Sequence, residues 1–356
     1  MASSRFVSGP VRVRVPATSA NLGPGFDAFG LALSLYDEVE LSVEGDGLRV
    51  DVAGEGAATV SRGRDNLVVR AMDATFDALG GRPSGMRVSC LNRIPHGRGL
   101  GSSAAAVVAG VVAAAASYAE PAKDLPRSAM LNLVTALEGH PDNVAACLLG
   151  GFTIAWTSSA PDGAPARSPA DALGGGVVEP LVAAAGGGVV EPPVAAARGV
   201  RADAGGGVAD AVRLQPSPRV AAVVFVPPDP VATSHARGLL PDSVPHVDAT
   251  RNAGRAALLV EALTRRPELL LPATEDRLHQ PYRVPAMPRS AALVTALRTA
   301  GVAAVVSGAG PTVLALVDRD AIAPAAVAGL AADAAHGFEA HVLTVVPDGV
   351  EVDVRR

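Results

Sequence analysis

The segment Ile94-Pro95-His96-Gly97-Arg98-Gly99-Leu100-Gly101-Ser102-Ser103-Ala104-Ala105 places three glycines within five residues, directly ahead of an Ala- and Val-rich stretch of helical character. Glycines let a backbone approach a ligand closely, and the helix N-terminus that follows presents unpaired N–H groups and the positive end of a dipole. Together these suit a polyphosphate, with the Ser102 and Ser103 hydroxyls at the helix mouth. An isolated Gly-x-Gly reads more simply as a turn with a serine cap, but the tandem Gly-Leu-Gly-Ser-Ser-Ala-Ala ahead of a helix is far more restrictive. No Gly-Lys-Ser or Gly-Lys-Thr occurs, and the single lysine, Lys123, lies in a loop-like context. P-loop and protein-kinase chemistry, which need a phosphate-contacting lysine, are thereby disfavoured. The segment does not match a dinucleotide fingerprint either.

Three further segments share the chain with this loop. They are Pro16-Ala17-Thr18-Ser19-Ala20-Asn21-Leu22-Gly23-Pro24-Gly25-Phe26-Asp27, Leu137-Glu138-Gly139-His140-Pro141-Asp142-Asn143 and Ser307-Gly308-Ala309-Gly310-Pro311-Thr312. Residues 95–105 resemble, position for position, the nucleotide-binding motif of the GHMP kinases, the family of galactokinase, homoserine kinase, mevalonate kinase and phosphomevalonate kinase. The 16–27 segment resembles the first motif of the homoserine kinases within that family, and 307–312 resembles the third, Gly-rich motif. Outside residues 159–215 the resemblance covers essentially the whole chain. It implies an α+β, two-lobed GHMP kinase fold: an N-terminal ribosomal-protein-like βαβ lobe, a C-terminal ferredoxin-like lobe, and an active site between them. It also implies phosphorylation of the side-chain hydroxyl of L-homoserine to O-phospho-L-homoserine, with ATP and Mg²⁺ as the phosphoryl donor and its metal.

Residue by residue, the resemblance assigns the nucleotide to Asn66 and to Pro95, His96, Gly97, Arg98, Gly99, Leu100, Gly101, Ser102, Ser103, Ala104 and Ala105. Asn66 matches an adenine-contacting asparagine, its amide offering both donor and acceptor; a helix cap is the plainer reading. Glu138 resembles the magnesium-binding glutamate, with Ser102 or Ser103 as second ligand, since Mg²⁺ keeps waters and phosphate oxygens and needs few protein ligands. Without the motif, Glu138 would read as a solvated helix-end acid.

The acceptor is a small zwitterion, so its site needs an anion or amide for the ammonium and a fork for the carboxylate. Asn21 and Asp27 match the residues holding the amino-acid end, while His140, Asp142, Asn143, Thr233 and Gly308 belong to the same pocket in the resemblance. Arg237 and Arg283 match two carboxylate-binding arginines, whose planar forks can bind a carboxylate bidentately. Asn21, Asp27, Glu138 and Asp142 form the catalytic set. Asp142 is expected to order the pocket, leaving the acceptor hydroxyl to attack through proximity and phosphate electrostatics; a general-base role is the alternative.

The elements that must position these groups are legible in outline. Residues 11–15 read as a strand, 39–43 and 48–52 as a hairpin around Glu44-Gly45-Asp46-Gly47, 66–79 as a helix, 86–90 as a strand, and 102–118 and 127–137 as helices before a strand at 151–156. Strands at 220–226, 302–306, 313–317 and 342–346, with helices near 231–240, 251–264, 289–300 and 321–335, give a split βαβ order. Between 158 and 215 the composition turns to Gly, Ala, Val and Pro, with the block GGGVVEPLVAAA at 174–185 repeated at 186–197 with one change. Two short copies cannot support a solenoid, and triple glycine makes ordering entropically costly. The expected domains are therefore 1–158, a flexible low-complexity insertion at 159–215, and 216–356.

Composition bounds the function further. Thirty basic residues against 35 acids, a net charge of -5, leave no basic footprint for nucleic acid or anionic lipid. The uncharged 18-residue stretch 102–119 sits near the lower length limit for a membrane span and, being mostly Ala and Val, reads as a buried helix. Cys90 and Cys147, far apart and with no zinc-like spacing, suit a reducing cytosol, and alternating charge at 11–15 argues against a secretory signal. A cytoplasmic enzyme of a small molecule is expected, binding neither nucleic acid nor membrane, and a homodimer is common among such kinases. The rival from another class is a catalytically silent sensor of ATP or an amino acid; retention of Asn21, Ser102 and Glu138 argues against silence.

Overall fold

The computed structural model describes residues 5–119, 125–158, 208–330 and 332–354. The chain builds β1 (Val11–Ala20), β2 (Phe29–Ser42), β3 (Gly47–Gly54), α1 (Leu67–Ala78), β4 (Gly85–Asn92), α2 (Ser102–Ala116), α3 (Arg127–Glu138), α4 (Pro141–Leu149), β5 (Phe152–Ser158) and β6 (Val208–Leu214). It continues with β7 (Val220–Val226), α5 (Thr233–Gly238), α6 (His246–Thr264), α7 (Leu270–Ala273), α8 (Gln280–Arg283), α9 (Pro288–Thr299), β8 (Ala303–Val306), β9 (Val313–Asp318), α10 (Pro324–Leu330), β10 (Glu339–Thr344) and β11 (Glu351–Val354).

The first sheet runs β11-β1-β2-β4-β3, with β5 pairing the other end of the long β2 and β6 pairing β5. Along β1 the valines at 11, 13 and 15 are buried while Arg12 and Arg14 face solvent, the period-two signature of a sheet covered on one side. The cover is α2, whose side chains from Ala104 to Ala115 are nearly all at 3% exposure or less. Small Ala and Val side chains let this helix lie close to α1 and β1. That burial explains its lack of charge, and no helix among the described residues is long and apolar enough to cross a membrane.

The second sheet is antiparallel throughout in the order β10-β7-β9-β8, the ferredoxin-like arrangement expected from the split βαβ pattern. Its β7 is buried on both faces: Ala222, Val224 and Val226 join the core shared with the first lobe and α6, whereas Ala221, Val223 and Phe225 pack with Leu293 and Leu297 of α9. One apolar core thus passes through both lobes.

Three expectations are corrected. Residues 39–43 and 48–52 do not form a hairpin: β4 lies between β2 and β3, which pairs with β4 in parallel across the α1 crossover. Period-two alternation marks both segments as strands, but the partner is set by where the crossover returns. Residues 208–214, placed within the flexible insertion, are β6, paired with all seven residues of β5. Residues 351–354, placed in the second domain, are β11, an edge strand of the first sheet beside β1. The repeat at 174–197 lies outside the described residues.

Candidate active site

The glycine loop is held from both lobes. Asp37 of β2, buried, accepts the amides of Arg93 and Ile94 at 2.6 and 2.9 Å and fixes the loop's entry. Further on, Thr18 donates its amide to the Leu100 carbonyl and Ser307 donates its hydroxyl to the Gly99 carbonyl at 2.6 Å. Gly99 and Gly101 adopt φ of 75° and 71°. A Cβ on Gly101 would fall 2.0 Å from Thr18 Oγ1, so only glycine lets the loop approach β1 this closely.

Gly101 starts α2 without any side-chain cap, leaving the first-turn amides without capping acceptors. Beside them is a cleft of about 240 Å³ lined by Asn66, Leu67, Val68, His96, Ser102, Ser103 and Ala106, among others. Among the described residues no arginine lines it. Arg98, expected at the nucleotide, turns the other way: its guanidinium donates to the carbonyls of His96, Pro227 and Pro228 at 2.6–3.0 Å. It staples the loop to the end of β7.

Several other nucleotide assignments take a different form. Asn66 Oδ1 caps α1 by accepting the Val68 amide at 3.0 Å, and its Nδ2 donates to the Ser61 carbonyl at 2.8 Å. The plainer reading of Asn66 as a helix cap is the one realised, although the residue does line the cleft. Leu100, Ala104 and Ala105 are fully buried and the Ala105 amide donates to Gly101, so Leu100 and Ala104 meet a ligand only through main chain. Gly97 accepts the Val231 amide and Pro95 stands half-buried between Ile94 and His96.

Of the two serines, Ser103 is the one that reaches Glu138, its Oγ donating to Oε2 at 2.5 Å. Burial raises the Glu138 carboxyl above its ordinary pKa, the Ser103 bond opposes this, and the charge of Asp142 adds to it. A half-buried carboxylate with a hydroxyl oxygen against it, and no cationic side chain paired with it among the described residues, is a hard-oxygen pair fit for Mg²⁺. Among the described residues no cluster of three or more His, Cys, Asp or Glu offers another metal site.

The acceptor-side residues do converge. Asp27 and Arg237 form a bidentate pair with N–O distances of 2.8 and 3.1 Å. Asp142, almost fully buried, is raised above the usual carboxylate range first by burial and further by Asp27, while His140 and Arg237 pull it down. Its Oδ1 accepts the Asn143 amide at 2.7 Å, and Asn143 Oδ1 in turn accepts the Thr18 hydroxyl at 2.8 Å. Asp142 is therefore within electrostatic reach of both Glu138 and the Asp27–Arg237 pair. Thr233 is exposed at the first turn of α5, one turn before Arg237.

Among the described residues the guanidinium Nε atoms of Arg237 and Arg283 are buried donors without a hydrogen-bond partner, as are the hydroxyls of Thr135 and Thr312. An unpaired buried donor is costly, and two of them on adjoining cations define a place for an anion. Asn21 does not present its amide to that place. Its Nδ2 donates to the Gly308 carbonyl at 2.8 Å and its Oδ1 accepts the Asp27 amide at 2.9 Å, so it shapes the 21–27 loop, with φ of 69° at Asn21 and 54° at Asp27. Gly308 likewise serves through its carbonyl.

Sequence reasoning missed four residues here. His279 and Phe26 stack with ring centroids 5.0 Å apart, the guanidinium carbons of Arg283 and Arg237 lie 5.4 and 5.8 Å from the Phe26 ring, and Asn252 donates to the Pro24 carbonyl at 2.8 Å. Ser307 joins them by bridging Ser19 and Gly99. A histidine four residues before Arg283, one helical turn away, is the sequence signal for one of them.

A glycine loop opening a buried helix, a carboxylate and hydroxyl at its mouth and a ferredoxin-like second lobe define a small-molecule kinase of the GHMP class. The profile for the GHMP kinases N terminal domain matches residues 66–151, and that for the GHMP kinases C terminal matches 252–335. The homoserine kinase of Streptomyces coelicolor is 53% identical over 90% of this chain and 88% of its own length, and that of Streptomyces avermitilis 52% over 94% and 95%. The crystal structure of homoserine kinase from Cytophaga hutchinsonii superposes with a TM-score of 0.72 at 24% identity, covering 97% of this chain and 98% of that one, a likeness of fold. The chain belongs to the homoserine kinases of the GHMP kinase family.

Proposed function

We propose that this protein transfers the γ-phosphoryl group of ATP to the side-chain hydroxyl of L-homoserine, with ATP in the α2 cleft and homoserine at the Asp27–Arg237–Arg283 cluster. The observation that carries the acceptor assignment is the pair of buried, partnerless Nε donors on Arg237 and Arg283 beside the Asp27 carboxylate. An amino acid answers both needs, its carboxylate taking the arginine donors and its ammonium taking Asp27.

The roles follow from the contacts. The free amides at the start of α2 and the narrow approach allowed by Gly99 and Gly101 hold the polyphosphate. Glu138 and Ser103 would hold the magnesium ion, which supplies charge neutralisation along the phosphates. Because no lysine or arginine among the described residues lines the cleft, the helix terminus carries their share of that stabilisation. Asn143, fixed by Thr18 and Asp142, braces Gly101 from the acceptor side. Asp142, with its Oδ1 turned to Asn143 and its acidity weakened by burial, orders this wall; as the new O–P bond forms, the bond from the γ-phosphorus to the ADP oxygen breaks with ADP as leaving group, and the proton of the acceptor hydroxyl goes to an oxygen of the transferring phosphoryl group.

Magnesium-dependent ADP release, measured with L-homoserine, D-homoserine, L-serine, mevalonate and galactose against a no-acceptor control, tests this reading. Release selective for L-homoserine is expected. Selectivity for another alcohol would discard the acceptor cluster, and ATP binding without release would turn the reading toward a sensor.

A further inference from the structure

His279 lies at the hinge between the 21–27 loop and Arg283, and its side chain is completely buried. Its backbone is fixed by Asp276, whose Oδ2 accepts the amides of His279 and Gln280 at 3.2 and 2.7 Å and whose Oδ1 accepts that of Leu278 at 2.9 Å. The ring is read from both ends. Nε2 is 2.9 Å from the Gly23 carbonyl oxygen, and a carbonyl only accepts, so Nε2 carries the hydrogen. Nδ1 is 3.1 Å from Arg283 Nη1, and a guanidinium only donates, so Nδ1 presents a lone pair. One tautomer, neutral and protonated at Nε2, satisfies both contacts.

The consequence falls on Arg283. Its Nη1 hydrogens go to His279 Nδ1 and to the Gly308 carbonyl at 3.2 Å. That leaves the Nε–Nη2 edge, the side-on fork of a guanidinium, and Nε is buried without a partner. On the opposite face of the His279 ring network, Phe26 stacks at an interplanar angle of 22° and itself lies against both arginines. The same imidazole that turns Arg283 also ties down Gly23, where a Cβ would already collide with the Thr274 carbonyl at 2.8 Å.

We propose that His279 is a positioning residue for acceptor specificity: as the neutral Nε2–H tautomer it clamps Nη1 of Arg283, so that the free Nε–Nη2 edge faces the carboxylate of the amino-acid acceptor. This rests on the acceptor assignment made above. It predicts that the Nδ1 acceptor of His279 acts on recognition of the carboxylate, whereas its Nε2–H acts on the 21–27 loop that carries Asp27.

The test compares L-homoserine with 3-amino-1-propanol, the same molecule without its carboxylate. His279→Phe keeps an aromatic ring against Phe26 but removes both hydrogen-bonding atoms; His279→Asn restores an acceptor near the Nδ1 position. Steady-state kinetics give KM for L-homoserine and for ATP, and competition against L-homoserine gives Ki for 3-amino-1-propanol. For His279→Phe the expected result is a rise in KM for L-homoserine of about 10- to 100-fold, equivalent to about 1.4–2.8 kcal/mol. KM for ATP should stay within about twofold, Ki for 3-amino-1-propanol should rise at least about fivefold less than KM for L-homoserine because it reports only the loosened 21–27 loop, and His279→Asn should recover most of the loss in KM. Equal weakening of both acceptor ligands, or an unmoved KM for L-homoserine, overturns the proposal while leaving the enzyme's function intact. Should His279→Phe fail to fold, His279→Gln decides by itself: its amide can still donate to the Gly23 carbonyl but places no acceptor at the Nδ1 position, so KM for L-homoserine should rise with Ki unmoved, and a KM and a Ki that move together, or an unmoved KM, overturn the proposal. Wild-type enzyme that does not turn over L-homoserine overturns the acceptor assignment, and the proposal with it.

Discussion

Gly99→Ala is the sharpest test of how the glycine loop is held. At a φ of 75° an L side chain costs about 1–2 kcal/mol. The added Cβ would also fall 2.3 Å from the Ser307 carbonyl oxygen and 2.9 Å from that of Gly310. Both are main-chain atoms in a turn closed by its own bonds, with Gly310 donating to Ser307 at 2.8 Å and Ser307 to Thr312 at 2.9 Å, so no flexible side chain can yield. Overpacking of this kind adds about 1–3 kcal/mol, for a total of about 2–5 kcal/mol. Gly301 isolates the conformational part, because its φ is 85° and nothing lies within 4 Å of a Cβ there. Thermal unfolding should therefore show a fall in Tm for Gly99→Ala about twice that for Gly301→Ala, at about 2–4 °C per kcal/mol for a unit of 150–250 residues. KM for ATP should rise at least about tenfold for Gly99→Ala and stay unchanged for Gly301→Ala. A Gly99→Ala enzyme with the Tm of Gly301→Ala and the wild-type KM for ATP would refute the claim that the two Gly-rich loops are in forced contact.

Other expectations are as direct. Arg98→Met leaves the carbonyls of Pro227 and Pro228 without their donor, and should lower stability by about 1–3 kcal/mol in urea unfolding while raising KM for ATP; an effect on ATP affinity alone would return Arg98 to the phosphates. Glu138→Gln should shift the magnesium-activation curve to higher concentration and reduce turnover by about 10²-fold or more, and an unshifted curve would remove Glu138 from the metal site. Burial holds His279 below its ordinary pKa of about 6.5, so the unfolded chain takes up a proton there that the folded chain refuses; its stabilising contribution is complete above about pH 6.5 and shrinks as pH falls. Unfolding free energies from pH 7.5 to 5 should fall less steeply for His279→Asn than for wild type, and parallel slopes would contradict the neutral assignment. Burial pushes the Cys90 thiol up to about 12 and raises Cys147 as well, so iodoacetamide should label neither in the native protein and both after unfolding.

The particular errors and successes of the sequence reading have physical causes. The glycine loop was legible because its demands are local: a close approach and a helix mouth are written in consecutive letters. Strand β7 was placed to the residue, since a run of seven buried apolar residues bounded by prolines admits little else. The false hairpin at 39–52 arose because alternation specifies a face and not a neighbour, and the true neighbour, β4, begins only at Gly85, beyond the α1 crossover from β3 at Gly47. β6 was hidden by its alanines and by the biased composition that precedes it; what makes it a strand is the open edge of β5. Asp27 and Arg237 were named for the ammonium and the carboxylate of one ligand, and their direct pairing across 210 positions had no local signature. The partnership of His279 with Gly23 spans 256 positions, and no local pattern could announce it.

The return of β11 to the first sheet bears on how the molecule is made. During vectorial synthesis β1 leaves the ribosome early, yet its outer neighbour is encoded some 340 residues later, in the pairing of Val11 with Val354. Until then the row of amides and carbonyls along that side of β1 has no native strand to meet it, and such an edge invites pairing with another chain. The outward-facing Arg12 and Arg14 place fixed charge along that temporary edge before Glu351 arrives to pair with Arg14. The chain thus carries its own safeguard through the interval in which its first lobe stands unfinished.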